Sequence, residues 1–244
     1  MHNLSIDIGN TSTKIAVFSG KEIIHYQRFD VLEADDLSQI INQFNIQKTI
    51  ISSVDEDITE LEEFLSNQTQ YIRFSTLLSN GVQNKYKTPE TLGLDRWAAV
   101  LGAKGVFGVQ ACLIIDAGTC ITYDLLNKNL EYFGGSISPG INMRFKAVHH
   151  FTGRLPLVNW NAKESIPAGT DTQTAIKNGI LQGIINEIEG FISLNKIQES
   201  ALRVVITGGD ADFLVNQLQN SIFAPLIIKD SYLVLKGLNE AIAD

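Results

Sequence analysis

The chain has 244 residues, 44% of them hydrophobic and 19% charged, with a formal net charge of −8. This is ordinary globular composition with ample apolar material for a core, and the acidic balance argues against nucleic acid or an anionic membrane as main partner, because both select basic surfaces. Residues 1–14 lack a basic segment followed by an apolar one, no apolar run approaches the ~20 residues needed to span a bilayer, and Cys112 and Cys120 are too few for a disulfide framework, so the expected location is the cytoplasm.

Short β runs at 4–8, 14–18 and 23–29, separated by polar or Gly-containing breaks, predict an antiparallel meander. Leu32, Leu37, Ile40, Ile41 and Phe44 then recur near helical spacing. A buried strand at 49–53, a short helix at 58–65 and a strand at 71–74 follow. An apolar helix is expected over 98–106. The same grammar returns with β runs at 111–115, 121–126 and 131–137 and helices at 141–151 and 174–194. In the second of these helices Ile176, Ile180, Ile184, Ile188 and Ile192 line one face. A strand at 202–206, a helix at 210–218, a strand at 226–228 and a helix at 231–243 complete the pattern.

An internal repeat underlies this order. Leu4-Ser5-Ile6-Asp7-Ile8-Gly9-Asn10-Thr11 matches Leu113-Ile114-Ile115-Asp116-Ala117-Gly118-Thr119. Each aspartate follows an apolar strand and precedes Gly, Thr and a second β run. The chain therefore reads as two copies of one β-β-β-α-β-α unit, 1–110 and 111–244, facing each other. A cleft between them is the default ligand site.

Both loops suit a nucleotide phosphate. Gly9 and Gly118 carry no Cβ, so backbone and ligand can approach closely. Successive N–H groups in such a turn form an anion-binding concavity. Thr11, Ser12, Thr13, Thr119 and Thr122 add hydroxyls, and Lys14 adds a cation. Asp7 and Asp116 would repel phosphate directly, so their plausible task is to hold a hydrated cation bridging the phosphates. One such loop alone would read as a plain hairpin; two at equivalent places shift the balance toward function. Val204-Val205-Ile206-Thr207-Gly208-Gly209-Asp210 is a strand entering a Gly pair, a geometry that lets backbone approach a flat ring or ribose. There is no GxxxxGK[ST], no GxGxxG after the first strand and no GxSxG. His149 and His150 are adjacent rather than four apart, which fits a helix-end surface better than a metal site. Composition and spacing thus reach a nucleotide-dependent phosphotransferase.

The acceptor side is Tyr86-Lys87-Thr88-Pro89-Glu90-Thr91-Leu92-Gly93-Leu94-Asp95-Arg96-Trp97, ahead of the apolar helix. Asp95 beside Arg96 is open to two readings. One is a surface ion pair of little worth. In the other, Asp95 is a general base for an attacking hydroxyl and Arg96 holds an anionic group on the acceptor.

Taken together, these segments, with Gly134-Gly135-Ser136-Ile137-Ser138-Pro139-Gly140 and Thr172, resemble type III pantothenate kinases, over nearly the whole chain. The resemblance implies an α/β fold of two duplicated ribonuclease H-like (actin-like ATPase) units, with mixed β-sheets flanked by helices and a cleft between them. It implies ATP-dependent phosphorylation of pantothenate to 4′-phosphopantothenate, the first step of coenzyme A biosynthesis. Asp7, Ile8, Gly9, Asn10, Thr11, Ser12, Thr13 and Lys14 would bind ATP with Mg²⁺, and Thr119 would touch it. Asp95 would be the catalytic base. Tyr86, Gly93, Leu94, Asp95, Arg96 and Thr172 would contact pantothenate. Asp116 would hold a monovalent cation, K⁺ or NH₄⁺. A homodimer is implied, so the helix of isoleucines could pack on a second subunit as readily as on its own core. Thr88 and Cys120 depart from the usual pattern without touching this chemistry.

Simpler roles remain for some of these residues. Thr172 or Asp171 could cap the following helix. Pro139-Gly140 could only close a strand and open a helix. Tyr86 could be a core aromatic, Trp97 reads as core, and residues 55–63 as a solvated helix face. The alternative function is an ATP-binding regulatory switch of the same fold, which would have no need of an acceptor base.

Overall fold

The computed structural model describes residues 1–9, 12–53 and 58–243. They form two compact units. The first comprises Met1–Gly108, Leu130–Tyr132 and Tyr232–Asp244, and the second Val109–Asn129 and Phe133–Ser231.

In the first unit β1 (His2–Ile8), β2 (Thr13–Ser19) and β3 (Glu22–Phe29) form the expected antiparallel meander. Helix α1 (Ala34–Phe44) leads to β4 (Ile46–Ser53), which lies parallel to β1. Helix α2 (Thr59–Gln68) leads to β5 (Gln70–Arg73), parallel to β4. The strand order is β3-β2-β1-β4-β5. Alternation of side chains along a strand gives the sheet two faces. Leu4, Ile6, Ile15 and Val17 join Leu37, Ile40 and Ile41 of α1 in one core cluster. A short strand β6 (Gln83–Asn84) pairs in parallel with Glu131 and Tyr132. Helix α3 (Leu94–Phe107) starts four residues before the apolar stretch at 98–106, so Asp95 and Arg96 sit in its first turn rather than ahead of it.

The second unit repeats the design. β7 (Cys112–Ala117) and β8 (Cys120–Leu126) pair antiparallel, and β9 (Glu131–Pro139) follows. After α4 (Ile141–His150) and α5 (Thr172–Gln198), β10 (Arg203–Thr207) lies parallel to β7. Helix α6 (Ala211–Leu218) precedes β11 (Ile227–Lys229), parallel to β10. Five strands in the order β9-β8-β7-β10-β11 reproduce the order of the first sheet, and β6 adds a sixth at the β9 edge. On α5, Ile180, Ile184, Ile188 and Ile192 all enter this unit's own core with Leu113, Ile115, Val204 and Ile206. Full burial of each such side chain contributes ~1.5–3 kcal/mol, so this stripe is already used within the subunit.

The last helix, α7 (Leu233–Ala241), returns to the first unit and packs on α3, β1, β2 and β4. No helix among the described residues is long and apolar enough to cross a membrane.

Candidate functional site

The first loop joins β1 to β2. In that ladder Asp7 lies opposite Lys14 and Ile8 opposite Thr13. The Gly9 N–H donates to the Ser12 carbonyl at 3.2 Å and closes the turn. Ser12 and Thr13 are buried, and Asp7, Ile8, Gly9 and Lys14 are half-buried. Asn10 and Thr11 lie outside the described residues, as do residues 55–57 of the acidic stretch.

Burial pushes the Asp7 carboxyl up to about 6; Lys14 opposes that shift, and the charge of Asp95 adds to it. The first-loop aspartate, its lysine and the candidate base are therefore electrostatic neighbours. Asp95 is exposed, and its Oδ1 accepts the Arg96 N–H at 2.7 Å. A Cβ on Gly93 would stand 2.7 Å from that oxygen, so glycine is what leaves the carboxylate its place over the helix start. Leu94, the first residue of the helix, is half-buried.

Arg96 is buried, with its guanidinium 5.8 Å from the centre of the Tyr86 ring. Tyr86 is half-buried and stacks on Tyr132 at 6.2 Å and 17°. Such a cation–π pair is worth ~0.5–2 kcal/mol and fixes the arginine head in space. Trp97 is fully buried and donates its indole N–H to the Leu78 carbonyl at 2.9 Å, which makes it core.

The second loop joins β7 to β8. Here Asp116 lies opposite Thr122 and Ala117 opposite Ile121. The Gly118 N–H donates to the Cys120 carbonyl at 2.9 Å. This loop is one residue shorter than the first, and a threonine stands where the first has Lys14. The buried Thr122 hydroxyl oxygen has no hydrogen-bond partner among the described residues. A carboxylate beside an orphaned hydroxyl oxygen is a donor set for a hard cation. Thr119 is exposed.

Gly208, at φ 92°, lies against the same strand end. A Cβ there would be 2.3 Å from the Ala117 carbonyl oxygen and 2.5 Å from Asp116 Oδ1. The close approach expected toward a ring or ribose is, at Gly208, an approach to Asp116 itself. Asp210, which sequence reasoning placed in no role, donates its N–H to the Ala117 carbonyl at 3.0 Å, and burial pushes its carboxyl up. Gly140 is also seated on the loop, its N–H donating to the Thr119 carbonyl at 3.1 Å. So Pro139-Gly140 both opens α4 and supports the second loop.

Thr172 is exposed at the first position of α5. The cap is Asp171, whose Oδ1 accepts the N–H groups of Gln173 at 2.9 Å and Thr174 at 3.0 Å. Capping therefore does not account for Thr172. His149 and His150 end α4 and are exposed. Among the described residues no three or more His, Cys, Asp or Glu side chains gather as a metal cluster. A cation held by single carboxylates such as Asp7 or Asp116 would complete its shell with water and phosphate oxygens, as magnesium usually does.

A family model described as type III pantothenate kinase matches residues 3–194. A type III pantothenate kinase of Bacteroides fragilis (strain YCH46) is 42% identical over 243 residues, spanning 97% of this chain and 96% of that protein. Among solved structures, a protein of Campylobacter jejuni whose description assigns it to a Baf family of transcriptional activators aligns with a TM-score of 0.61 at 26% identity. It covers 98% of this chain and 96% of its own. A glucokinase from an Antarctic psychrotroph aligns with a TM-score of 0.51 at 12% identity over 99% of this chain and 98% of its own, a likeness of fold alone.

Proposed function

Because the chain belongs to the type III pantothenate kinase family, we propose that it transfers the γ-phosphoryl group of ATP to the hydroxyl of pantothenate, giving 4′-phosphopantothenate and ADP. The observation that carries this reading is the neighbourhood of Asp7, Lys14 and Asp95 within the first unit. It joins a phosphate-binding turn to a carboxylate able to take a proton. Phosphoryl transfer is mostly positioning and charge neutralisation, and the chain supplies both.

In this reading Asp95 accepts the proton of the attacking hydroxyl. Arg96, braced by Tyr86, faces the pantothenate carboxylate, and Gly93, Leu94 and Thr172 complete the acceptor contacts. Residues 7–14 hold the ATP phosphates through backbone N–H groups, hydroxyls and Lys14, and Thr119 adds a contact. Magnesium accompanying ATP supplies charge neutralisation at the phosphates. Asp116, with the Thr122 hydroxyl, holds K⁺ or NH₄⁺. The division into duplicated halves at 1–110 and 111–244, a homodimeric state and a cytoplasmic location belong to the same reading.

The test is ADP release by the purified protein with magnesium, potassium and ATP, with and without pantothenate. Release that depends on pantothenate supports the kinase. Release indifferent to pantothenate would favour the regulatory ATP-binding switch instead.

A further inference from the structure

In the second unit three side chains meet that none of the assignments above uses. Tyr123 on β8 donates its hydroxyl to Glu187 Oε1 on α5 at 2.8 Å. Arg144 on α4 donates from Nη2 to Glu187 Oε2 at 2.7 Å. The same guanidinium reaches the end of β9, from Nη2 to Ser138 Oγ at 2.8 Å and from Nε to the Pro139 carbonyl at 2.8 Å. Burial pushes Glu187 up, but hydrogen bonds from Arg144, Tyr123 and Ser138 outweigh it and hold the carboxyl below its usual range. Glu187 is thus an ionised anchor, and the Tyr123 ring is itself pinned by stacking on Phe191 at 3.9 Å.

The residue after Pro139 is Gly140, which rests on the second loop. A Cβ on Gly140 would lie 2.2 Å from the Gly118 carbonyl oxygen and 2.5 Å from that of Thr119. The segment Arg144 grips is therefore continuous with the support of the loop that carries Asp116 and Thr119. A side chain that only tied α4 to α5 would need the Glu187 pair and nothing more. Arg144 instead spends two bonds on the β9–α4 corner, in a planar fork that a lysine cannot reproduce.

We infer that Arg144, anchored by Glu187 and Tyr123, is a positioning residue that sets the second phosphate loop through Gly140. This rests on the proposed roles of Thr119 and Asp116. A partly exposed ion pair contributes little to stability, whereas a small displacement of a ligand-binding loop is felt strongly in affinity and rate.

The experiment compares wild type, Arg144→Lys and Gly140→Ala by equilibrium binding of a fluorescent ATP analogue, steady-state kinetics and thermal melting. Arg144→Lys keeps a cation for Glu187 and loses the fork. It is expected to melt close to wild type, to weaken nucleotide binding by about tenfold or more, and to change the pantothenate KM by less than about twofold. Gly140→Ala should reproduce the nucleotide defect from the loop side. Wild-type nucleotide affinity in Arg144→Lys overturns the inference. So does an equal loss toward both substrates with a collapsed melting temperature, which would mark a merely structural role. Should Arg144→Lys fail to fold, Ser138→Ala removes one bond of the fork without touching charge and is judged by the same criteria. A wild type that binds nucleotide but shows no pantothenate-dependent turnover would sink the kinase reading, while the binding data still decide the role of Arg144.

Discussion

Asp7 carries the most instructive conflict at the scale of single residues. Its carboxyl titrates near 6 because burial disfavours the charge more than Lys14 favours it. The folded state thus binds the proton more tightly than the unfolded chain, whose carboxyl titrates near 3.8. With that sign, ionising Asp7 costs stability in full above pH 6, and the cost disappears as the pH falls from 6 toward 4. The size is on the order of 3 kcal/mol. Asp7→Asn should therefore raise the melting temperature at pH 7.5 while abolishing productive ATP use; a variant that melts lower would contradict the assignment. In the wild type, kcat/KM for MgATP should fall on the acid side with an apparent pKa near 6, since only the ionised form can hold a hydrated cation. Asp95 has a separate test. Asp95→Asn should retain nucleotide binding and lose ~10²–10⁴ in transfer rate, the usual weight of a general base. Unchanged turnover would remove Asp95 from the mechanism.

Among the elements, the contact of α3 with α7 is the tightest constraint. A Cβ on Gly237 would lie 1.7 Å from the Ala98 carbonyl oxygen, and one on Gly102 would lie 2.3 Å from that of Leu233. Gly237→Ala must separate the two helices, and overpacking of this kind typically costs ~1–3 kcal/mol. Because α3 carries Asp95 in its first turn, kcat should fall along with the denaturation midpoint. Gly179→Ala is the matched control, for its Cβ would enter open space on α5. It should stabilise by up to ~1 kcal/mol through helix propensity alone. Equal effects of the two substitutions would show that the helix contact is not what matters. This is also the scale at which the sequence was most readable. Strands announced themselves as short apolar runs between polar or Gly-containing breaks, and the paired Asp-x-Gly motifs gave away the duplication. The start of α3 was less visible, because Leu94, Asp95 and Arg96 lack the apolar continuity of residues 98–106. Arg144, and the partner that Gly208 approaches, were invisible for a different reason. The contacts are with Glu187, Asp116 and Ala117, partners dozens of residues away whose meeting no local pattern encodes.

For the molecule as a whole, the two units share one strand order yet differ in chemistry. At corresponding ladder positions one has Lys14 opposite Asp7 and the other Thr122 opposite Asp116. The two hairpins are similar, and in the proposed reading this single ladder position is what suits the first to an anion and the second to a cation. The units also differ in how the chain completes them. The second is built from residues 109–129 and 133–231, whereas the first is completed by α7 from the far end of the chain, packed on α3, β1, β2 and β4. A chain ending at residue 231 should keep slow amide exchange in β7 and β10 and lose it in β1, β2 and β4. Protection retained in all five strands would show α7 to be dispensable. The return of α7 also imposes a timetable on synthesis. The sheet made first cannot be covered on its α7 side until residues 233–241 have left the ribosome, after the whole of the second unit has been translated. At ~5–20 residues per second, that leaves nascent strands such as β2 waiting for roughly 10–45 seconds with Phe18 uncovered. The half that is translated first is thus the half that finishes folding last, and its exposure to chaperones and to misassociation is fixed by chain order.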